Sequence, residues 1–276
     1  MKAKNKDKGS AERIAVVAGG TELPKEVIES MKKEGMDPFV IGLKNFVKKD
    51  VKTDIVIRLG EGGKAAKALE KNGIKKIVMV GAIGQPDLSD LRPDWWSVKI
   101  VAKALMNDKG HDTLLTTVLK EIEKKGFQMV AVQDVCKGLT LEKGVATKTK
   151  PKGSERKVID RAIHVCRIIG EEDIGQSVIV DRVVLGVEGA DGTDALIKRC
   201  AQIRKGWKKQ AGVMAKLKKP QQDIRIDIPV IGIDTLKLVK EANLRGIVIE
   251  ANYCFVAQKE KTLAYADKHN IFIEAV

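Results

Sequence analysis

Between residues 14 and 132 the chain switches repeatedly from a short apolar run to an amphipathic stretch, and few folds accept that rhythm. Ile-Ala-Val-Val-Ala at 14–18 ends in Gly19-Gly20, and a helical pattern follows over 24–34. Runs at 39–43, 54–59, 77–80 and 127–132 read as further strands, and 64–72, 97–106 and 112–125 as helices. Apolar strands separated by amphipathic helices predict a parallel sheet covered on both sides, a Rossmann-like α/β domain. The second half mixes the same elements less regularly. A helix is expected over 158–169 and a strand pair across 176–187, broken by Asp181-Arg182. A helix begins near Asp194. Strands follow at 212–217, 223–228, 246–250 and 271–274, with helices at 235–242 and 259–269. The expected organisation is a frayed, flexible basic tail at 1–13, the Rossmann-like α/β domain at 14–132, an interdomain connection at 133–155 and a second α/β domain at 156–276. In the connection, periodicity fades among Gly138, Gly144, Pro151 and Gly153.

Composition narrows the classes. With 43% apolar and 32% charged residues in 276, the chain can bury a core and is not disordered overall. No apolar run approaches the ~20 residues of a spanning helix, and the polar N-terminus has no secretory-signal centre. The four cysteines are far apart and the three histidines scattered, so a structural zinc site is not expected and a reduced, cytoplasmic protein is. The net charge of +14 favours anionic partners: nucleic acid, an anionic lipid surface or phosphorylated metabolites. Aromatics at 4% leave few platforms for stacking bases, and no groove-reading motif is present. A nucleic-acid partner therefore rests on charge alone and is not expected.

The densest chemistry lies at 219–232, Lys-Pro-Gln-Gln-Asp-Ile-Arg-Ile-Asp-Ile-Pro-Val-Ile-Gly. At period 2, Asp223, Arg225 and Asp227 share one face, and Ile224, Ile226 and Ile228 the other. Two carboxylates around a guanidinium, just after Lys218 and Lys219, suit a divalent metal together with a phosphate. A half-buried strand with a solvated charged face explains the alternation equally well. Geometry restricts the first reading: residues four apart in a straight strand have Cα atoms about 13 Å apart. One ion shared by both carboxylates then requires a bulge, or the two have different roles.

Three glycine turns are candidate anion sites. Gly19-Gly20-Thr21-Glu22-Leu23-Pro24 follows a strand and opens a helix that Thr21 is placed to cap. It has neither the dinucleotide fingerprint nor a Walker loop, and a turn packed for structural reasons fits as well. Gly60–Gly63 with Lys64 is a weaker second case. In Glu188-Gly-Ala-Asp-Gly-Thr-Asp-Ala, Asp191 and Gly192 suit a turn, and Thr193 or Asp194 a helix cap whose free amides attract an anion. Cys166 and Cys200 read as small core residues. Trp95-Trp96 reads as core or as an exposed apolar contact for lipid.

The motifs occur in an order that resembles a known family: Ala-Gly-Gly-x-x-Leu-Pro (18–24), Pro-Asp-Leu-x-x-Leu-Arg-Pro-Asp (86–94), Asp-Ile-Gly-Gln-Ser-Val-Ile-Val (173–180), Glu-Gly-x-Asp-Gly-Thr-Asp-Ala (188–195) and Lys-Pro-x-Gln-Asp-x-Arg-x-Asp-x-Pro-x-Ile-Gly (219–232). In this the chain is similar to the LpxI-type UDP-2,3-diacylglucosamine pyrophosphatases. The resemblance implies a cytosolic step of lipid A synthesis in which water cleaves the pyrophosphate of UDP-diacylglucosamine, with Mg2+, in a homodimer of two-domain chains that hold the substrate between their domains. A lipid-linked substrate also suits a basic protein at an anionic membrane surface.

On this reading 156–276 is the catalytic domain. Asp223 and Asp227 are the metal or water-activating carboxylates, and Arg225 is a phosphate clamp. Gly19, Gly20, Thr21, Leu23, Pro24, Asp191, Gly192, Thr193, Asp194, Lys219 and Gln222 are substrate contacts. A non-catalytic nucleotide or phosphosugar binding protein is the rival reading and predicts binding without turnover.

Overall fold

The computed structural model describes residues 13–83, 92–105, 110–136 and 138–276, and the chain divides into two compact units, Met1–Cys136 and Lys137–Val276. The tail expected at 1–13, Arg13 apart, and residues 86–91 of the Pro-Asp-Leu word lie outside the described residues.

In the first unit the elements run β1 (Ile14–Ala18), α1 (Leu23–Lys33), β2 (Phe39–Leu43), β3 (Ile55–Ile57), α2 (Gly62–Lys71), β4 (Lys76–Val80), α3 (Trp95–Leu105), α4 (Gly110–Lys124), β5 (Gln128–Met129) and α5 (Val132–Val135). The sheet order is β3-β2-β1-β4-β5, and every pair is parallel. Helices carry the chain from β1 to β2, from β3 to β4 and from β4 to β5, while β2 reaches β3 through a loop; β1 and β2 are apolar throughout rather than alternating. In α1 the buried positions Leu23, Val27, Ile28 and Met31 form one stripe; Pro24 opens the helix, and Lys32 and Lys33 close it against the carbonyl end of the dipole. The strand expected at 127–132 is confined to Gln128–Met129, because α5 begins at Val132. The strand order reverses between β1 and β4, the point at which open α/β sheets leave a crevice at their carboxyl ends.

The second unit holds β6 (Gly144–Val145), a 3-10 turn (Gly153–Glu155), α6 (Arg156–Glu171), β7 (Ser177–Val180), β8 (Val184–Val187), α7 (Gly192–Ile203), β9 (Val213–Lys216), β10 (Val230–Ile231), α8 (Ile233–Glu241), β11 (Gly246–Ile249), β12 (Phe255–Val256), α9 (Lys259–Lys268) and β13 (Phe272–Ala275). Its main sheet has the order β6-β13-β11-β9-β7-β8. The three central strands are parallel, while β6, β7 and β8 run antiparallel to their neighbours. The stretch 133–155, expected as a connection, thus carries α5 and an edge strand of this sheet. Period 2 sorts the core into two layers. Val178, Val180, Val213, Ala215 and Val248 meet Ile159, Ala162, Cys166 and Ile169 of α6. Ile179, Met214, Ile247, Ile249 and Ile273 meet Leu196 and Ile197 of α7, Leu236 and Val239 of α8 and Ala266 of α9.

Residues 223–228 are not a strand. The amides of Ile226 and Asp227 both bond to the carbonyl of Asp223, at 3.1 Å each, which winds the segment into a turn. The Asp223 carboxylate accepts the Arg225 amide at 3.0 Å, a local bond that competes with any ladder. Ile224, Ile226 and Ile228 are accordingly half-buried rather than core residues.

All four cysteines are reduced and buried, Cys136 in the first unit and Cys166, Cys200 and Cys254 in the second. Desolvation pushes their thiols up, to about 11 for Cys136 and Cys166 and about 12 for Cys254. Among the described residues no helix is long and apolar enough to cross a membrane.

Gly246 opens β11 directly under the ring of the fully buried Phe272, and a methyl group there would fall inside contact distance of three ring carbons. Replacing Gly246 with Ala is expected to cost about 1–3 kcal/mol, the range for overpacking a dense core. In a Phe272→Leu background the same replacement should cost measurably less. Urea unfolding of the four proteins in that cycle checks both numbers.

Candidate active site

One rung across the second sheet gathers polar side chains. Lys216, the last residue of β9, is opposite Ser177 at the start of β7, and the amide of Glu188, just past β8, bonds the Ser177 carbonyl at 2.8 Å. Lys216, Ser177 and Glu188 are all buried, with 7%, 0% and 7% exposure, where a lone charge would be costly. The hydroxyl of Thr193, in the first turn of α7, joins them. It accepts from Nζ of Lys216 at 2.6 Å and donates to Oε1 of Glu188 at 2.9 Å, with Oγ of Ser177 3.4 Å away. The alternation that sends Val213 and Ala215 toward α6 sends Met214 and Lys216 toward α7, so the lysine arrives at the helix opening. On the opposite face, Glu250 just after β11 holds Arg167 of α6 bidentately, at 2.8 and 2.9 Å.

The turn at 219–228 leaves from this rung. Nζ of Lys218 lies 5.2 Å from the Tyr253 ring centre, and Nζ of Lys219 pairs with Asp173 at 2.5 Å. Gln222, 9% exposed, donates through its amide to Oδ2 of Asp227 and lies 3.5 Å from Oε1 of Gln176. The backbone N–H of Gln176 in turn points at Oε2 of Glu188, at 3.4 Å. A polar path therefore runs from the exposed Asp227 through Gln222, Gln176 and Glu188 to Thr193 and Lys216. Asp223 pairs with Arg225 through Nε at 2.9 Å and Nη2 at 2.6 Å. The Arg225 side chain and amide hold its carboxyl below the usual range despite partial burial. A carboxylate held in this way fixes the plane of the guanidinium and is a weak proton acceptor at neutral pH. Asp227 is the better placed of the two to orient water.

The caps differ from the sequence reading. The residue before α7 is Asp191, which makes no cap bond; its carboxylate accepts the Gly189 amide and pairs with Arg199. Thr193 is committed to Glu188 and Lys216, Asp194 is exposed, and Gly192 adopts φ +80°. Among the described residues no side chain caps the opening amides of α7. In the first unit the cap of α1 is Glu22, not Thr21. Thr21 is exposed at φ +75°, with its hydroxyl 3.4 Å from the Leu23 amide. Gly19 is a packing residue: its amide bonds Val80, and a methyl there would lie 2.8 Å from the Gly81 carbonyl oxygen. Gly20 bonds Ala82, and Leu23 and Pro24 are buried.

The second glycine turn already contains an anion. Asp94 accepts the Gly63 amide at 2.6 Å at the opening of α2, and Ser97 caps Gly62 at 3.2 Å. Burial pushes the Asp94 carboxyl up, but bonds from Ser97, Gly63 and Lys64 outweigh it and hold the carboxyl below its ordinary value.

Sequence reasoning passed over Lys216, Gln176, Ser177 and Glu250. The available signal was a lysine closing the apolar run Val-Met-Ala-Lys-Leu, and a glutamate following each of two Val/Ile strands. Among the described residues no group of three or more His, Cys, Asp or Glu is placed to hold a metal ion. The oxygens present fit a narrower role. Mg2+ keeps several waters and takes one or two carboxylates together with substrate phosphates; of the two carboxylates in this turn, Asp223 has both oxygens on Arg225, and Asp227, which accepts from Gln222, is the exposed one.

Comparison with known proteins accounts for both units. The model of the LpxI N-terminal domain matches residues 13–139, and that of the LpxI C-terminal domain matches 142–274. Over 272 residues the chain is 35% identical to the UDP-2,3-diacylglucosamine pyrophosphatase LpxI of Caulobacter vibrioides, a match that spans 96% of this chain and 97% of that one. With both domain models in order along its length, and a relative aligned nearly end to end, this chain belongs to the LpxI family.

Proposed function

We propose that the chain hydrolyses the pyrophosphate bond of UDP-2,3-diacylglucosamine to UMP and 2,3-diacylglucosamine 1-phosphate, a step of lipid A biosynthesis. The substrate comes from the likeness to the Caulobacter vibrioides enzyme. The observation that supports the chemistry is the convergence of a buried cation, an oriented guanidinium and an exposed carboxylate at one end of one sheet. Lys216 and the uncapped amides of α7 supply positive charge fixed before substrate arrives, where phosphoryl oxygens gain negative charge. Arg225, its plane set by Asp223, adds a fork that fits a phosphate. Asp227, held by Gln222, orients the attacking water. Mg2+ bound by Asp223 and Asp227 with the pyrophosphate would neutralise charge on the leaving oxygen. Asp191, Gly192, Asp194 and Lys219 belong to the same reading as substrate contacts. So do a homodimer and attachment to the cytoplasmic face of an anionic inner membrane, which the charge of +14 supports.

Purified protein given UDP-2,3-diacylglucosamine and Mg2+ should release UMP. Binding without release would make it a nucleotide-sugar binding protein instead. Asp223→Asn and Asp227→Asn should each lower turnover about a hundredfold or more while leaving the unfolding midpoint near that of the parent.

Lys216→Met should fall on kcat rather than on KM, since the cation acts on charge that develops in the transition state. Thr193→Val should lose much of the rate and Thr193→Ser little of it, because the serine hydroxyl can still bridge Lys216 and Glu188. Equal rates for the valine and serine variants would remove that bridge from the mechanism.

Excess chelator should abolish UMP release, and added Mg2+ should restore it. Undiminished turnover after dialysis against chelator would eliminate the metal.

A further inference from the structure

The end of the second sheet remote from Lys216 carries a compact knob that the catalytic reading does not use. It is built around Arg204, whose side chain is 1% exposed. Its guanidinium bonds the Ala242 and Asn243 carbonyls at 2.9 and 3.1 Å, pairs with Asp181 at 2.7 Å, and lies 4.7 Å from the Trp207 ring centre. Asn243 also donates to the Trp207 carbonyl at 2.9 Å. One buried cation thereby ties the β7–β8 hairpin, the end of α7 and the loop after it into a rigid platform. Three large apolar side chains face solvent on those segments: Val183 at the hairpin tip is 58% exposed, Ile203 is 52% and Trp207 is 46%. Arg182, Lys205, Lys208 and Lys209 are exposed beside them. The stretch 202–212 contains no acidic residue, and Asp181 is already neutralised by Arg204.

We infer that this knob is the membrane-docking face of the protein and that its partner is an anionic phospholipid surface. Exposed tryptophan flanked by aliphatic tips suits the headgroup boundary, where the ring is half in hydrocarbon and its N–H remains wet. Four lysine and arginine side chains around those tips are complementary to anionic headgroups, and neighbouring basic residues act additively at such a surface. A rigid platform also loses little conformational freedom on docking, unlike a basic tail. Its biological sense rests on the lipid-linked substrate proposed above, but its test does not.

The test is co-sedimentation with vesicles containing phosphatidylglycerol, and with phosphatidylcholine vesicles, at low and physiological salt. The parent should bind the anionic vesicles and weaken with salt. Lys205→Glu/Lys208→Glu/Lys209→Glu should lose about tenfold or more in partitioning. The control Lys67→Glu/Lys71→Glu/Lys75→Glu, with the same change in charge on exposed sites of the first unit, should lose far less. In a Trp95→Phe/Trp96→Phe background, brominated acyl chains should quench the fluorescence of Trp207. Equal losses in the two triple variants, an unquenched Trp207, or no parent binding overturns the inference. A patch variant that turns from dimer to monomer makes the face a self-contact and also overturns it. UMP release from detergent-dispersed substrate should be unchanged in the patch variant, and its loss would overturn a purely docking role. A parent that binds vesicles but releases no UMP rejects the proposed reaction and leaves the docking face standing.

Discussion

The bridge from Lys216 through the Thr193 hydroxyl to Glu188 is the constraint on which the second unit turns. A lysine at the end of a central strand cannot remain charged among apolar neighbours without a partner. Its partner comes from two places at once, the end of β8 and the opening of α7. That requirement fixes where the β7–β8 hairpin returns and where α7 begins. It also brings Gln176 beside Glu188, and so sets the position of Gln222 and the turn beyond it. The polar rung and the apolar layer beneath it are products of one alternation: Met214 faces the same side as Lys216, one step deeper.

The two helix openings that sequence alone made look alike end up with opposite fates. At α2 the protein supplies its own anion, the carboxylate of Asp94, and the glycines that open the helix, Gly62 and Gly63, are packed against Trp96 and Asp94. At α7, among the described residues, no side chain caps the amides, and the buried cation of Lys216 reaches the Thr193 hydroxyl in its first turn. Both openings have a short glycine-bearing turn after a strand. The distinction lies in what a residue some thirty positions away does, as Asp94 does to Gly63, and local spacing carries no record of that.

Legibility followed the same line. The parallel sheet of the first unit could be read because its strands are apolar on both faces, and the β7–β8 hairpin because Asp181-Arg182 interrupts two Val/Ile runs. The segment 223–228 could not be read correctly. Its alternation is compatible with a strand, but Asp223 bonds the amide two residues on and its carbonyl takes two more, which closes a turn before a ladder can form. That turn brings Asp223 and Asp227 to within one coil of each other and removes the separation that a straight strand would impose. The site residues named from sequence that lie around the second sheet, Thr193, Gln222, Asp223, Arg225 and Asp227, do share its carboxyl end. Lys216 and Gln176 escaped notice because their importance is burial next to a distant partner.

The cysteines carry a consequence of another kind. Each is buried, and desolvation raises each thiol above its ordinary value, so almost no thiolate exists at neutral pH while the chain is folded. Their chemistry is thereby gated by opening. Cys136 is the sole cysteine of the first unit and the other three belong to the second. A thiol-specific reagent therefore reports opening around Cys136 in the first unit and around the other three cysteines in the second, with no mutation introduced.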